Sequence, residues 1–356
     1  MSSLEVLTGR NYLSHSSLTS WLKCGEQFRL ERVAGAPQGT AWYLVGGSAV
    51  HKASELLDKG EVGAESSWAG GGILFPLLPW NYSNAVNELA LAGAAAYPAL
   101  CEELHQSTGI DPEYTQSGMW VLPPFNLLKV LAWCTAHNFP HEVRGQKLWL
   151  PTVGQARNPR LMQALKKALQ LAGVEIRDHC AVGSWEKDQN AITGIYTDDG
   201  ELHASEYVLC AGAWSHQLLG ENSTLDGHKP MRGQMLLFQT EPGTLKEIIY
   251  SDDFYLIPRR DGLILAGSTV EDAGFDKSTT QQAAQELQRK AAKLLPQLAS
   301  LTPIKHWSGL RPGSPENVPT IGRHPQLYNL WLNTGHFRYG VTMAPASAEI
   351  LVEMMQ

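Results

Sequence analysis

Residues 158–179, NPRLMQALKKALQLAGVEIRDH, constrain the fold more than any other stretch of this chain. Asn158 stands at a capping position, and Pro159 occupies the first turn, where a missing amide costs nothing. Leucine and alanine then recur at helical spacing until Gly173 supplies a stop. The spacing predicts a helix over 158–173 that leads without a linker into a strand, VEIRDH. A helix feeding directly into a strand points to an α/β architecture.

The rest of the chain extends that pattern. Residues 83–107 read as a helix behind Ser83, broken into two pieces by Pro98. GSWEKDQNAITGIYTDD and ELHASEYVLCAGAWS alternate like a β-meander that feeds a buried strand ending at Ala211-Gly212. Residues 231–270 read as antiparallel hairpins, with Asp261-Gly262 as a tight turn. A helix over 280–298, a strand in LYNLWLNTG and a helix in APASAEILVEMM close the chain. Near the start, residues 16–32 read as a helix, and AWYLVGGSAV as a short apolar run ending at Gly46 and Gly47.

With 43% hydrophobic residues among 356, the chain can bury a core of about two domains. A net charge of −7 offers no electrostatic footprint for nucleic acid. The five cysteines are scattered, without a CxxC pair, so neither a disulfide framework nor a zinc site is indicated. MSSLEVLTGRNYLSHSS has no basic start followed by an apolar run, and no apolar stretch of about 18 residues occurs. The expectation is a cytoplasmic protein with no membrane partner and no metal, its homo-oligomeric state left open.

Two local features suggest a ligand. Ser66, Ser67 and the run Gly70, Gly71, Gly72 let the backbone approach a bulky planar group with amides free to donate. In YVLCAGAWS, a strand ending at Ala211-Gly212 lets a cofactor pass close to the chain. Each also reads as an ordinary turn.

The segments LLDKGEVGAESSWAGGGI, NPRLMQAL, YVLCAGAWS, FYLIPRRDGLILAGST, GLRPGSPENVPTIG and NTGHFRYGVTMAP stand in that order. Together they resemble the FAD-dependent D-amino-acid oxidase superfamily, and within it the glycine oxidases linked to thiazole synthesis for thiamine. The resemblance covers about five-sixths of the chain, from about Leu56 onward. It implies FAD as cofactor, with Asp58 on the adenosine ribose and Ser66, Ser67, Ala69, Gly70, Gly71, Gly72, Ala211, Gly212, Trp214, Gly335, His336 and Gly340 around the cofactor. It further implies that Arg311 grips the substrate carboxylate, a task suited to a planar fork, that Tyr255 donates a second hydrogen bond to it, and that Arg338 lines the same pocket. Without the resemblance, Asp58 reads as a solvated carboxylate, Arg311 as a surface ion pair and Tyr255 as a core tyrosine.

The implied fold is α/β: a Rossmann-like FAD/NAD(P)-binding domain lacking a normal first β-α unit, formed by 56–82, 150–225 and 305–356, plus an antiparallel-sheet α+β substrate domain formed by 83–149 and 226–304. The implied reaction is oxidative deamination of glycine or another small amino acid or amine, with oxygen as acceptor, yielding imine and hydrogen peroxide. The start of the last helix would face the flavin pyrimidine, and no acid or base side chain is required.

The first 55 residues depart from this pattern. The family opens with G-x-G-x-x-G, whose glycines and amides hold the FAD pyrophosphate. The nearest copy, YLVGGSAVH, carries Ser48 and His51 where the second and third glycines belong. Instead, NYLSHSSLTSWLKCGEQFRLERV and VGGSAVHKASE resemble the opening of RecB-like PD-(D/E)XK nucleases, with the G-x-x-x-H element at Gly47 to His51. No E-x-K element follows, so nuclease activity is disfavoured. The reading is a chimera joined near Glu55 and Leu56. CTAHNFPHEVRGQKLWLP is also shorter than the family's connection before the NPRL helix. A non-catalytic chimera that binds no FAD is the alternative.

FAD is therefore expected to bind about two to four orders of magnitude more weakly than to a relative with an intact motif, because each lost hydrogen bond to a charged group is worth roughly 1.5–3 kcal/mol. Fluorescence titration of the purified chain measures this, and sub-micromolar affinity would show that residues 1–55 rebuild a phosphate site.

Overall fold

Eight strands form the larger sheet, in the order β14-β10-β13-β12-β11-β2-β4-β3. They are Lys305–Gly313 (β14), Lys229–Gln239 (β10), Leu263–Gly267 (β13), Phe254–Pro258 (β12), Ile248–Ser251 (β11), Met119–Val121 (β2), Lys147–Leu150 (β4) and Glu142–Arg144 (β3). The computed structural model describes residues 61–356, so Asp58, the nuclease-like segment and the join at residues 55 and 56 lie outside the described residues.

Every pair in this sheet is antiparallel except β2 with β11. The expected hairpin at Asp261-Gly262 joins β12 to β13, with Gly262 at φ +84°. Strand β12 is buried along its whole length, so its two-residue period sorts side chains between two cores. Phe254 and Leu256 face Leu287 and Ala291 of helix α6, Gln281–Leu294. Tyr255 and Ile257 face the other way, with Phe75, Met119 and Trp133 of helix α3, Leu127–Ala136.

A smaller sheet pairs Leu330–Thr334 (β16) parallel with Tyr207–Leu209 (β9) and antiparallel with Thr320–Arg323 (β15). The expected meander precedes β9 as Val182–Asp188 (β6), Ala191–Thr197 (β7) and Gly200–Leu202 (β8). Ile73–Leu74 (β1) pairs with Gly154–Gln155 (β5). Helices Asn84–Thr108 (α2) and Gly340–Met355 (α7) pack together against the smaller sheet, burying Val86, Leu89, Trp331 and Met343. The one-turn helices Ser66–Ala69 (α1) and Ser215–Leu219 (α5) and the helix Asn158–Leu171 (α4) complete the order. No described helix is long and apolar enough to cross a membrane.

Four details differ from the sequence reading. Residues 174–179 are not a strand, because no described strand offers them a ladder of hydrogen-bond partners. Helix α2 runs unbroken through Pro98. A proline inside a helix costs about 3 kcal/mol, here offset by the buried Tyr97, Leu100, Cys101 and Leu104 that flank it. Asn158 is the first residue of α4 rather than its cap, and its side chain turns to another task. The final helix begins at Gly340, several residues earlier than APAS suggested.

Gly93 marks the closest approach of α2 to α7, since a Cβ there would run into the Thr342 carbonyl. Helix propensity alone makes Gly93→Ala stabilising by about 1 kcal/mol. Packing makes it destabilising by about 1–3 kcal/mol, and the shift in urea midpoint is expected to take that sign.

Candidate active site

The glycine run that follows α1 is held by two side chains from other elements. Asn158 Nδ2 donates to the Ser67 carbonyl (2.6 Å). The buried Arg259 donates from Nη2 to the Gly71 carbonyl (2.7 Å), and from Nη1 to the Ala156 carbonyl (3.1 Å) and Gln155 Oε1 (2.6 Å). Burial lowers the Arg259 pKa to about 10, which still leaves it a cation at neutral pH. Gly72 lies at φ +74°, and a Cβ there would overlap the Ala156 carbonyl. A Cβ on Gly71 would sit 2.7 Å from Ile257 Cδ1 and 3.3 Å from the Tyr255 ring. The loop is thus pressed against the larger sheet on one side and the stretch leading into α4 on the other, which leaves room for glycine.

This loop forms one wall of a cleft. Ser66, Ser67, Gly70, Gly71 and Gly72 line it together with Gly212, Tyr255, Arg311, His336, Arg338 and Gly340. Gly212, at φ +51°, turns the chain after β9, and its carbonyl accepts from Thr334 Oγ1 (3.2 Å). His336 Nε2 and Ser347 Oγ are 2.7 Å apart, and Ser347 Oγ donates to Asn333 Oδ1 (2.7 Å). Gly340, Val341 and Thr342 bring the first turn of α7, with the positive end of its dipole, to the cleft.

The remaining candidates stand behind the wall rather than in it. Ala69 packs against Gly309, and its carbonyl accepts from Trp307 Nε1 (3.0 Å). Ala211 is fully buried. Gly335, at φ +80°, lies where a Cβ would meet the His228 ring. Trp214 stacks on Phe275 with centroids 5.8 Å apart.

Arg311 sits at the C-terminal end of β14, directly opposite Met231 on β10. Its Nη2 donates to Ser268 Oγ (2.7 Å) and its Nη1 to the Thr269 carbonyl (3.1 Å). No carboxylate lies within 4.0 Å of it among the described residues. Burial lowers its pKa, opposed by neighbouring Tyr255 and reinforced by Arg338. A cation held by neutral acceptors and open to a cleft is prepared for an anion from outside.

The family DAO, FAD dependent oxidoreductase, matches residues 38–354. The chain belongs to this family. It is similar to the glycine oxidase of Pseudomonas putida, 42% identical over 317 residues that cover 84% of this chain and 87% of that protein. It is similar to the bifunctional protein ThiO/ThiG of Synechocystis, 30% identical over 82% of this chain and 46% of that protein. The crystal structure of glycine oxidase from Bacillus cereus shares its fold, with a TM-score of 0.78 at 24% identity, covering 88% of this chain and 92% of that one. The expected α/β FAD-binding fold with a sheet domain is therefore present.

In this FAD dependent oxidoreductase, Arg338 stands between the cleft and a second cavity lined by Tyr82, Tyr250, Asp253 and Asn317. Its Nη1 pairs with Asp253 Oδ1 (3.2 Å), which also accepts from the Tyr250 hydroxyl (2.8 Å). Against the downward pull of burial, Tyr82 and Asp253 hold Arg338 above its usual pKa. Arg338 is thus paired with a carboxylate of the protein, whereas Arg311 has only neutral partners among the described residues. Sequence reasoning missed Asn158, Arg259, Ser268 and Asn333. The only available signal was position: all four lie inside segments that carry the family resemblance.

Arg259→Met leaves the carbonyls of Gly71 and Ala156 without their charged donor. The variant is expected to lose about 2–4 kcal/mol of stability, read from the denaturant midpoint.

Proposed function

We propose that this chain oxidises the amine of glycine or another small amino acid, with FAD taking the hydride and oxygen as final acceptor, so that imine and hydrogen peroxide are released. The observation that carries this reading is Arg311: a guanidinium beside Tyr255, open to a glycine-lined cleft and without a carboxylate partner among the described residues. The residues present fit a flavin. Ile73, Phe75, Leu77 and Tyr339 offer apolar surface for a planar ring, and the amides of the glycine loop and of the α7 start are suited to its electron-rich carbonyls. FAD, when bound, supplies the two-electron acceptor and its reoxidation by oxygen.

The protein's own part is to bind and orient. Arg311 and Tyr255 would fix the substrate carboxylate and so aim the Cα–H into the cleft. The neutral amine loses its proton to solvent as the imine forms, so no titrating side chain is needed. A small substrate is favoured because Arg338, tied to Asp253, closes the side toward the second cavity.

A second reading, a chain that folds without holding flavin, is favoured by Ser48 and His51 in the degenerate phosphate motif. A graft from a nuclease-like protein would then lie within the first 55 residues, of which 38–55 also fall inside the family match. A yellow colour retained through gel filtration separates the two readings. We also place the protein in the cytoplasm, a reading supported by the free, buried Cys101, Cys134, Cys180 and Cys210.

For the oxidase, Arg311→Ala is expected to raise KM for glycine by about 10- to 100-fold, matching the loss of one bidentate contact of roughly 1.5–3 kcal/mol. A peroxide-coupled assay beside thermal unfolding measures it, and an unchanged KM in a folded, active variant rejects the role.

A further inference from the structure

The side chain of Arg311 does not stand free; it lies across the neighbouring strand. In the β10/β14 ladder Met231 is opposite Arg311 and Gly233 is opposite Gly309, so all four share one face. A Cβ built on Gly233 would fall within the guanidinium itself, meeting Nη1, Nη2 and Cζ. The backbone of Gly233 is outside the left-handed region, so conformation does not demand glycine there. Space for the guanidinium does.

The same two nitrogens donate to Ser268 Oγ at 2.7 Å and to the Thr269 carbonyl at 3.1 Å. That segment is itself pinned. Gln234, next to Gly233, donates its amide to Thr269 Oγ1 (2.8 Å), and Thr269 Oγ1 donates to Glu271. Glu271, the nearest carboxylate in sequence, pairs with the buried Arg232 (2.6 Å) and accepts from Gln234 Nε2 (2.9 Å). Arg232 also holds Asp276 (2.6 Å). The carboxylates of this loop are thereby drawn to Arg232 on one face of β10, and Arg311 on the other keeps only neutral partners.

We propose that Gly233 and Ser268 form the seat of the Arg311 guanidinium and act as positioning residues for the substrate carboxylate, a proposal that rests on the role of Arg311 given above. Gly233 sets how close the fork lies to the sheet, and Ser268 sets its rotation, so that the remaining N–H groups point into the cleft. A side chain at 233 would push the fork toward the space the carboxylate needs.

The test uses the full chain and glycolate, which keeps the carboxylate of glycine and replaces its amine by a hydroxyl. Calorimetric Kd for glycolate, and KM and kcat for glycine, are measured for the wild type, Gly233→Ala, Ser268→Ala, Ser268→Thr, Arg311→Ala and the Gly233→Ala/Arg311→Ala pair, with thermal unfolding as a check on folding. Gly233→Ala and Ser268→Ala are each expected to weaken glycolate binding and raise KM about tenfold while kcat changes less than about twofold, and Ser268→Thr to restore binding. In the Arg311→Ala background, Gly233→Ala is expected to have no further effect. Glycolate binding unchanged by Gly233→Ala, or weakened equally with and without Arg311, would overturn the seat while leaving the role of Arg311 intact. Binding unchanged by Arg311→Ala would remove the reading beneath it.

Discussion

The site depends on one buried cation that is not part of the chemistry. Arg259 ends the β12 segment and directs its guanidinium to the Gly71 and Ala156 carbonyls and to Gln155 Oε1. Those acceptors belong to the glycine loop and to the stretch leading into α4, so a single side chain ties both to the larger sheet. Buried carbonyls left without donors are costly, and only a long, multiply donating group can serve three at once. Asn158 adds a second tie from the start of α4. The wall of the cleft is therefore tied to the sheet behind it, although it consists largely of glycine.

Small residues on the facing sheet have the complementary role. Across the strands, Trp307, Met235, Gly267 and Tyr255 are successive ladder partners on one face, with Gly233 and Gly309 beside them. Glycine in a strand normally weakens it, yet here each lost side chain leaves room for something else: Ala69 over Gly309, the Arg311 fork over Gly233, the Tyr255 ring against Gly267. Charge is sorted on the same strand. Arg232 gathers Glu271 and Asp276, while Arg311 retains neutral acceptors and Arg338 is held by Asp253. Of the three arginines, only Arg311 has no carboxylate partner among the described residues.

Much of this was legible beforehand in particular places. The hairpin at Asp261-Gly262, the meander before β9 and the helix of 158–171 carry their periods and turn residues locally, so the chain order alone identifies them. The run Ser66 to Gly72 and Arg311 stand in motif segments, and they do meet at one cleft. Residues 174–179 and Pro98 misled for opposite reasons. A strand requires a partner that local pattern cannot supply, and a helix with enough buried surface tolerates a proline that propensity forbids.

The amino-acid sequence by itself determined the family, the alternation of elements and the residue types suited to a flavin and a carboxylate, because those are written in short-range periodicity and motif order. Tertiary structure alone decided which arginine lacks a carboxylate partner, since that depends on carboxylates brought from distant segments: Glu271 to Arg232, Asp253 to Arg338, and none among the described residues to Arg311. It likewise decided what the missing side chain of Gly233 leaves room for, because the guanidinium that occupies that space comes from a strand about eighty residues away in the chain and adjacent only in the sheet.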